Sequence, residues 1–176
     1  MIKETTRRVL TGIGMVALVG AVSASDAAAQ SASSDFDVTA SVVANCVIDT
    51  PSDLAFGTYE PAGANAAAPL DGDTTIEVAC TRGSTGVYVG LDLGDNASGS
   101  TRRMVGQNDA ETLDYELYSD AGRTLADVWG NDAVSGVSYV PVDSSPASLT
   151  VFGRVPAAQD VIVDTYQDTV TATINF

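Results

Sequence analysis

The stretch Tyr166-Gln167-Asp168-Thr169-Val170-Thr171-Ala172-Thr173-Ile174-Asn175-Phe176 closes the chain and decides its fold. Val170, Ala172, Ile174 and Phe176 alternate with Thr169, Thr171, Thr173 and Asn175. A period of two with one apolar side predicts a β-strand that buries one face. The pattern continues to the last residue, so the C-terminus reads as part of a sheet and not as a tail. No hairpin partner follows it. A strand with unpaired N–H and C=O groups along one side needs something to cover that edge.

The same period recurs upstream. Phe36, Val38, Ala40, Val42, Ala44 and Cys46 share one parity, as do Thr74, Ile76, Val78 and Cys80. So do Val87, Val89, Leu91 and Leu93, then Leu113, Tyr115 and Leu117, then Leu149 and Val151 followed by Gly153 and Val155. Gly, Asp, Asn, Ser and Pro fill the gaps, as in Asp71-Gly72-Asp73 and Gly94-Asp95-Asn96-Ala97-Ser98-Gly99, which read as turns. Short alternating strands between turn signals indicate an all-β sandwich or barrel. Ala62 to Pro69 is rich in alanine, but Pro61, Gly63 and Pro69 break it, and a loop is expected there.

At the other end Lys3, Arg7 and Arg8 precede an apolar run from Val9 to Ala24, followed by Ser25-Asp26-Ala27-Ala28-Ala29. A basic start, a short apolar stretch and an Ala-x-Ala site read as a cleavable export signal over residues 1–29. Cleavage is expected after Ala29, with Ala24 the second choice. The apolar run falls short of the roughly 20 residues that span a bilayer, which argues against an anchor. The exported part, residues 30–176, has the length of one domain.

The signal removes the only lysine. Without Lys3, Arg7, Arg8, Glu4 and Asp26, five arginines face 21 acids, a net charge of −16. Such a surface repels nucleic acid and anionic lipid and favours solubility. The sequence has no histidine and two cysteines, Cys46 and Cys80. In an exported chain these most simply form one disulfide. Two thiols without histidine make a poor metal site and a poor catalytic pair, and no cofactor is implied.

No Ser-His-Asp set is available, and no glycine-rich phosphate loop precedes a helix. Asp71/Asp73 and Asp92/Asp95 stand in turn-like sequence, where Asp serves the backbone. Asp92 to Asn96 misses the spacing of a calcium loop. Asn96-Ala97-Ser98 matches the glycosylation sequon, a common chance match in a chain rich in serine and threonine. Among the aromatics, Trp129 in Val128-Trp129-Gly130-Asn131-Asp132 is the best candidate for a binding role. An enzyme is not expected.

Several segments occur in the order typical of spore coat protein U domains, a family that includes the pilins of archaic, Csu-type chaperone-usher pili. They are Phe56-Gly57-Thr58-Tyr59, Cys80-Thr81-Arg82-Gly83, Arg102-Arg103-Met104, Leu113-Asp114-Tyr115-Glu116-Leu117-Tyr118, Trp129-Gly130, Phe152-Gly153-Arg154-Val155-Pro156 and Tyr166-Gln167-Asp168-Thr169-Val170. Each is weak alone; seven in order with the paired cysteines are specific, and the resemblance covers nearly all of residues 30–176. One departure is Thr165, where the family pattern has glycine, and it bears on a local turn.

The resemblance implies an incomplete immunoglobulin-like sandwich completed by a donated strand. It implies a periplasmic chaperone that lends a strand during export, an outer-membrane usher, and other pilin subunits whose N-terminal extensions fill the gap in a head-to-tail fibre. On that reading Phe36, Val38, Ala40 and Val42 form the donor face. Tyr166, Val170, Ala172, Ile174 and Phe176 form the groove edge that meets the chaperone. How residues 30–45 divide between donor and first core strand is left open. The function expected is a structural pilin subunit of a surface fibre that supports adhesion or biofilm formation. A soluble coat or matrix protein and a ligand-binding minor subunit are the alternatives.

Overall fold

A computed structural model describes residues 30–49 and 52–176. The expected signal, residues 1–29, lies outside the described residues. The chain divides into two compact units between Ala40 and Ser41. Of the first unit, residues 30–40 form no helix or strand and are exposed.

The second unit is all β. In chain order its strands are β1 (Cys46–Asp49), β2 (Leu70–Cys80), β3 (Tyr88–Leu91), β4 (Arg102–Gly106), β5 (Thr112–Tyr118), β6 (Val137–Ser138), β7 (Ala147–Val155), β8 (Tyr166–Gln167) and β9 (Ala172–Asn175). One sheet has the order β1-β2-β7-β5-β4-β8, the other β6-β3-β9. Every pairing is antiparallel. No helix among the described residues is long and apolar enough to cross a membrane.

The core lies between the sheets, and the period-two pattern puts it there. The larger sheet contributes Ile76, Val78, Val151, Val155, Leu113, Tyr115 and Leu117, and the smaller contributes Val89 and Leu91. Each fully buried apolar side chain of this size contributes about 1.5–3 kcal/mol. Cys46 and Cys80 are register partners across β1 and β2 and are joined by a disulfide. A cross-link over a sequence separation of 34 residues stabilises the fold by roughly 3–4 kcal/mol in the chain-entropy account.

Three expectations are corrected. Asp71-Gly72-Asp73 is not a turn: it lies inside β2, paired with Phe152, Gly153 and Arg154 of β7. The ring of Phe56 explains the glycine. A Cβ at Gly72 would stand 3.2 Å from its Cδ1, and one at Gly153, the register partner, 2.7 Å from its Cζ. Two facing glycines thus make a notch that the ring fills. Secondly, the alternating run from Phe36 enters a ladder only at Cys46. Thirdly, the C-terminal strand is shorter than its pattern: β9 spans Ala172–Asn175, Tyr166 belongs to β8 beside β4, and Val170 lies between them. Burial still alternates, with Tyr166, Asp168, Val170, Ala172 and Ile174 all half-buried.

Candidate functional site

β9 pairs with β3 on one side only and ends the smaller sheet, as β1 ends the larger. The chain beyond β1, from Ser52 to Tyr59, is pinned at both ends. Thr74 Oγ1 donates to Ser52 O at 2.7 Å, and Tyr59 Oη donates to Pro156 O at 2.9 Å. Between the pins it turns Leu54 and Phe56 onto the larger sheet, and no backbone ladder joins residues 53–58 to another strand. Unpaired backbone therefore flanks the gap between the two sheets on both sides.

That gap is a cavity of about 440 Å³. Leu54 and Phe56 form one wall, Val170 and Ala172 the other, with Ile76 and Val151 among the residues lining it. Tyr166 also lines it, from β8. Ile174 packs on the core instead, and Phe176 is exposed. The proposed donor face is open as well: Phe36, Val38 and Val42 are each more than 80% exposed. Together with Val43 they make an apolar arm with nothing covering it in the described residues.

The far wall is held by carboxylates. The Asp168 side chain accepts from Tyr115 Oη at 2.6 Å, Asn96 Nδ2 at 2.8 Å and Asn96 N at 3.1 Å. Burial, and then Asp168, push the Tyr115 phenol far up, so it remains a hydrogen-bond donor. Asp92 Oδ1 accepts from Thr171 N at 2.9 Å and from Gly94 N at 3.0 Å. Gly94 has φ +81°, and a Cβ there would stand 1.9 Å from Asp168 Oδ2, so only glycine admits this latch. Asp92 serves the backbone, as its turn-like sequence suggests, whereas Asp168 holds the side chains of Tyr115 and Asn96 as well as one backbone N–H. The sequon residue Asn96 spends its side-chain amide in the same latch.

Two residues lie deeper than their chemistry suggests. Trp129, the sequence candidate for a binding role, is 1% exposed and donates from Nε1 to Val89 O at 2.8 Å; it is a core residue. Arg102 is fully buried. Its guanidinium donates to Asp92 O at 2.7 and 3.0 Å, Trp129 O at 2.8 Å, Leu91 O at 3.2 Å and the Glu116 carboxylate. It ties β4 and β5 of the larger sheet to β3 of the smaller. Nothing in Arg102-Arg103-Met104 marks one arginine for the interior; the only signal is that Arg102 pairs with inward-facing Tyr115. No group of three or more metal-binding side chains occurs among the described residues.

Comparison with known proteins bears on what this arrangement is. The Spore Coat Protein U domain family matches residues 32–173. Protein U of Myxococcus xanthus is 37% identical over 175 residues, covering 92% of this chain and 94% of that protein. Among solved structures, the chaperone–tip adhesion subunit pre-assembly complex of the archaic chaperone-usher Csu pili of Acinetobacter baumannii aligns at 24% identity and a TM-score of 0.49. That match covers 77% of this chain and 40% of the other. A chaperone–tip adhesin complex of CFA/I fimbriae biogenesis aligns at 22% identity and a TM-score of 0.41, over 74% of this chain and 41% of the other. The family match over residues 32–173 and the relative at 37% identity give one conclusion: the chain belongs to the Spore Coat Protein U domain family.

Proposed function

We propose that the chain is a structural pilin subunit, exported through the periplasm and polymerised at the cell surface by donor-strand exchange, in a fibre that serves adhesion or biofilm formation. One observation carries the reading. The cavity of about 440 Å³ has Leu54, Phe56, Ile76, Val151, Val170 and Ala172 among its lining, is bounded by the free edge of β9 and unladdered residues 53–58, and is matched by an exposed alternating arm in the same chain. A strand added there gains backbone hydrogen bonds for affinity and fills the cavity with alternate side chains for specificity. Phe36, Val38, Ala40 and Val42 are the donor face. Val170, Ala172 and Tyr166 line the receiving side, and Ile174 and Phe176 carry its edge to the C-terminus. Arm-into-groove contacts are head-to-tail and generate an open filament. A periplasmic chaperone fills the groove before an usher passes the subunit outward. The fold serves assembly and not catalysis.

The experiment is export with and without a chaperone encoded beside the gene. Soluble subunit is expected only with it, bound one to one. A few residues appended after Phe176 should abolish capture, whereas a tag placed after the signal should spare it. Equal capture of the C-terminally extended form would remove β9 as the docking edge.

A soluble coat protein is the second reading, favoured by the family's name and by 37% identity to Protein U over nearly the full chain. It predicts a secreted monomer that needs no chaperone.

A further inference from the structure

We infer that the exported chain offers a trypsin-like protease one bond, Arg82–Gly83, and that hydrolysis there leaves the sandwich assembled as two fragments. The inference does not depend on which assembly the chain enters.

A protease of this class needs two things at once. The basic side chain has to leave the protein for the enzyme's acidic pocket, and the backbone around it has to give up its own hydrogen bonds. Residues 30–176 hold five arginines and no lysine. Residues 30–69, 92–101, 107–111, 124–146 and 156–176 contain neither, so the exposed N-terminal segment and most connections between strands present no target. Arg102, Arg103 and Arg154 lie inside interior strands: β4 is flanked by β5 and β8, and β7 by β2 and β5. Arg102 is buried as described above, Arg103 Nε donates to Asn96 O at 3.2 Å, and Arg154 forks on Asp71. Arg123 lies in a loop, but its side chain is only 12% exposed. Its Nε donates to Gly153 O and its Nη1 to Ala121 O, each at 3.1 Å, and the guanidinium lies 5.3 Å from the centre of the Phe152 ring. Reaching any of these four requires local or global opening of the sandwich.

Arg82 differs on both counts. It is exposed in the connection from β2 to β3 and enters no ion pair among the described residues. Thr81 to Ser84 form a turn, with Ser84 N donating to Thr81 O at 3.1 Å and Gly83 at φ +90°. A Cβ at Gly83 or Gly86 would meet nothing within 4 Å, so the loop stands clear of the body. Exposed loop tips built from small residues are where proteolytic nicks concentrate.

Hydrolysis adds one water across the amide and leaves a carboxylate on Arg82 and an ammonium on Gly83. No covalent bond then joins residues 30–82 to residues 83–176, because the Cys46–Cys80 disulfide closes within the first fragment. The fragments still share the β2–β7 ladder, from Leu70 opposite Val155 to Val78 opposite Ala147. They also share the core, in which Ile76 and Val78 of the first pack with Val89, Leu91 and Val151 of the second. A cut outside every strand removes none of these contacts.

The test is limited trypsin digestion of the folded exported chain in three forms: unaltered, Arg82→Gln and Arg82→Lys. Products are read by mass spectrometry, by gel filtration and on a denaturing gel without reductant. The unaltered chain should be cut after Arg82 at least about 100-fold faster than after any other arginine. The nicked protein should elute where the uncut protein does and separate into two bands on the denaturing gel. Arg82→Gln should stay whole at the same dose, and Arg82→Lys should be cut like the unaltered chain. A first cut after Arg103, Arg123 or Arg154, or an unaltered chain as resistant as Arg82→Gln, overturns the choice of bond. Two fragments that elute apart overturn the claim that ladder and core hold the nicked molecule together.

Discussion

Replacing Arg102 by methionine tests the tie between the two sheets. Methionine fills part of the volume but removes every donor. The carbonyls of Leu91, Asp92 and Trp129 lose that partner, and the Glu116 carboxylate keeps only the Leu117 N–H at 3.0 Å. Breaking a buried ion pair by removing one partner costs about 3–5 kcal/mol. Glu116 is 22% exposed and recovers some hydration, so the lower end, about 3 kcal/mol, is expected. For a domain of this size each kcal/mol moves the midpoint by about 3 °C, giving a fall in Tm of roughly 9 °C. Thermal unfolding followed by circular dichroism and by the fluorescence of Trp129, the only tryptophan, measures it. Adding Glu116→Gln should restore about 1 kcal/mol, because the stranded charge is then gone. Lysine at 102 should rescue only part, since a point charge cannot serve three carbonyls and a carboxylate together. A fall of less than about 3 °C, or a double variant no better than the single one, would show that the arginine is not what holds the sheets together.

Denatured exported protein should show no free thiol, and reduction should lower stability by roughly 3–4 kcal/mol; two reactive thiols in the oxidised protein would refute the disulfide. Exchanging Phe36 and Val38 for Asp should leave export intact and abolish polymerisation, since an apolar groove does not accept carboxylates, whereas changes at Asp37 and Thr39 should matter little. Fibres of normal length from the first variant would overturn the donor assignment. The Arg154 fork on Asp71, at 2.7 and 2.8 Å, holds that carboxyl below its ordinary value of 3.8. Its stabilisation is therefore present above the unfolded value and is lost as pH falls through the lower native one. Acid titration of stability should show this step in the natural protein and not in Asp71→Asn. The step should shrink in salt, because the pair is partly exposed.

What the sequence discloses here is whatever repeats with period two. Ile76 and Val78, Val89 and Leu91, Leu113 to Leu117, and Val151 with Val155 are all buried where alternation puts them. Alternation says nothing of where a ladder stops, so the shortness of β9 and the late start of β1 are not legible in it. What it misses has causes far away in the chain. Asp71-Gly72-Asp73 has turn composition, yet its glycine answers to Phe56 and one of its acids to Arg154. Arg102 looks like a surface charge, and its burial depends on the carbonyls of Leu91, Asp92 and Trp129 and on the Glu116 carboxylate, which three separate segments bring together. Trp129 reads as a binding residue only because nothing nearby in sequence announces the Val89 carbonyl that its indole finds. The cavity has the same origin: its walls are legible as apolar residues, but the unpaired backbone between them is a property of the topology.

The notch that receives Phe56 also orders events in time. It consists of two glycines about 80 residues apart, and it exists only once β2 and β7 have paired in register. Such distant pairings form late in a folding chain. Residues 52–59 therefore have nowhere to dock until the longest ladder is complete. A nascent molecule with its ladder built but this wall still loose has a wider opening than the finished one. Truncating Phe56 to alanine should accordingly leave the folding rate nearly unchanged and speed unfolding, whereas truncating Val151 should slow folding. A large slowing by the Phe56 change would reverse that chronology. Given that sequence of steps, a partner that meets the chain early finds an accommodating cleft, and one that arrives late must enter a cleft already set by a ring locked over two glycines.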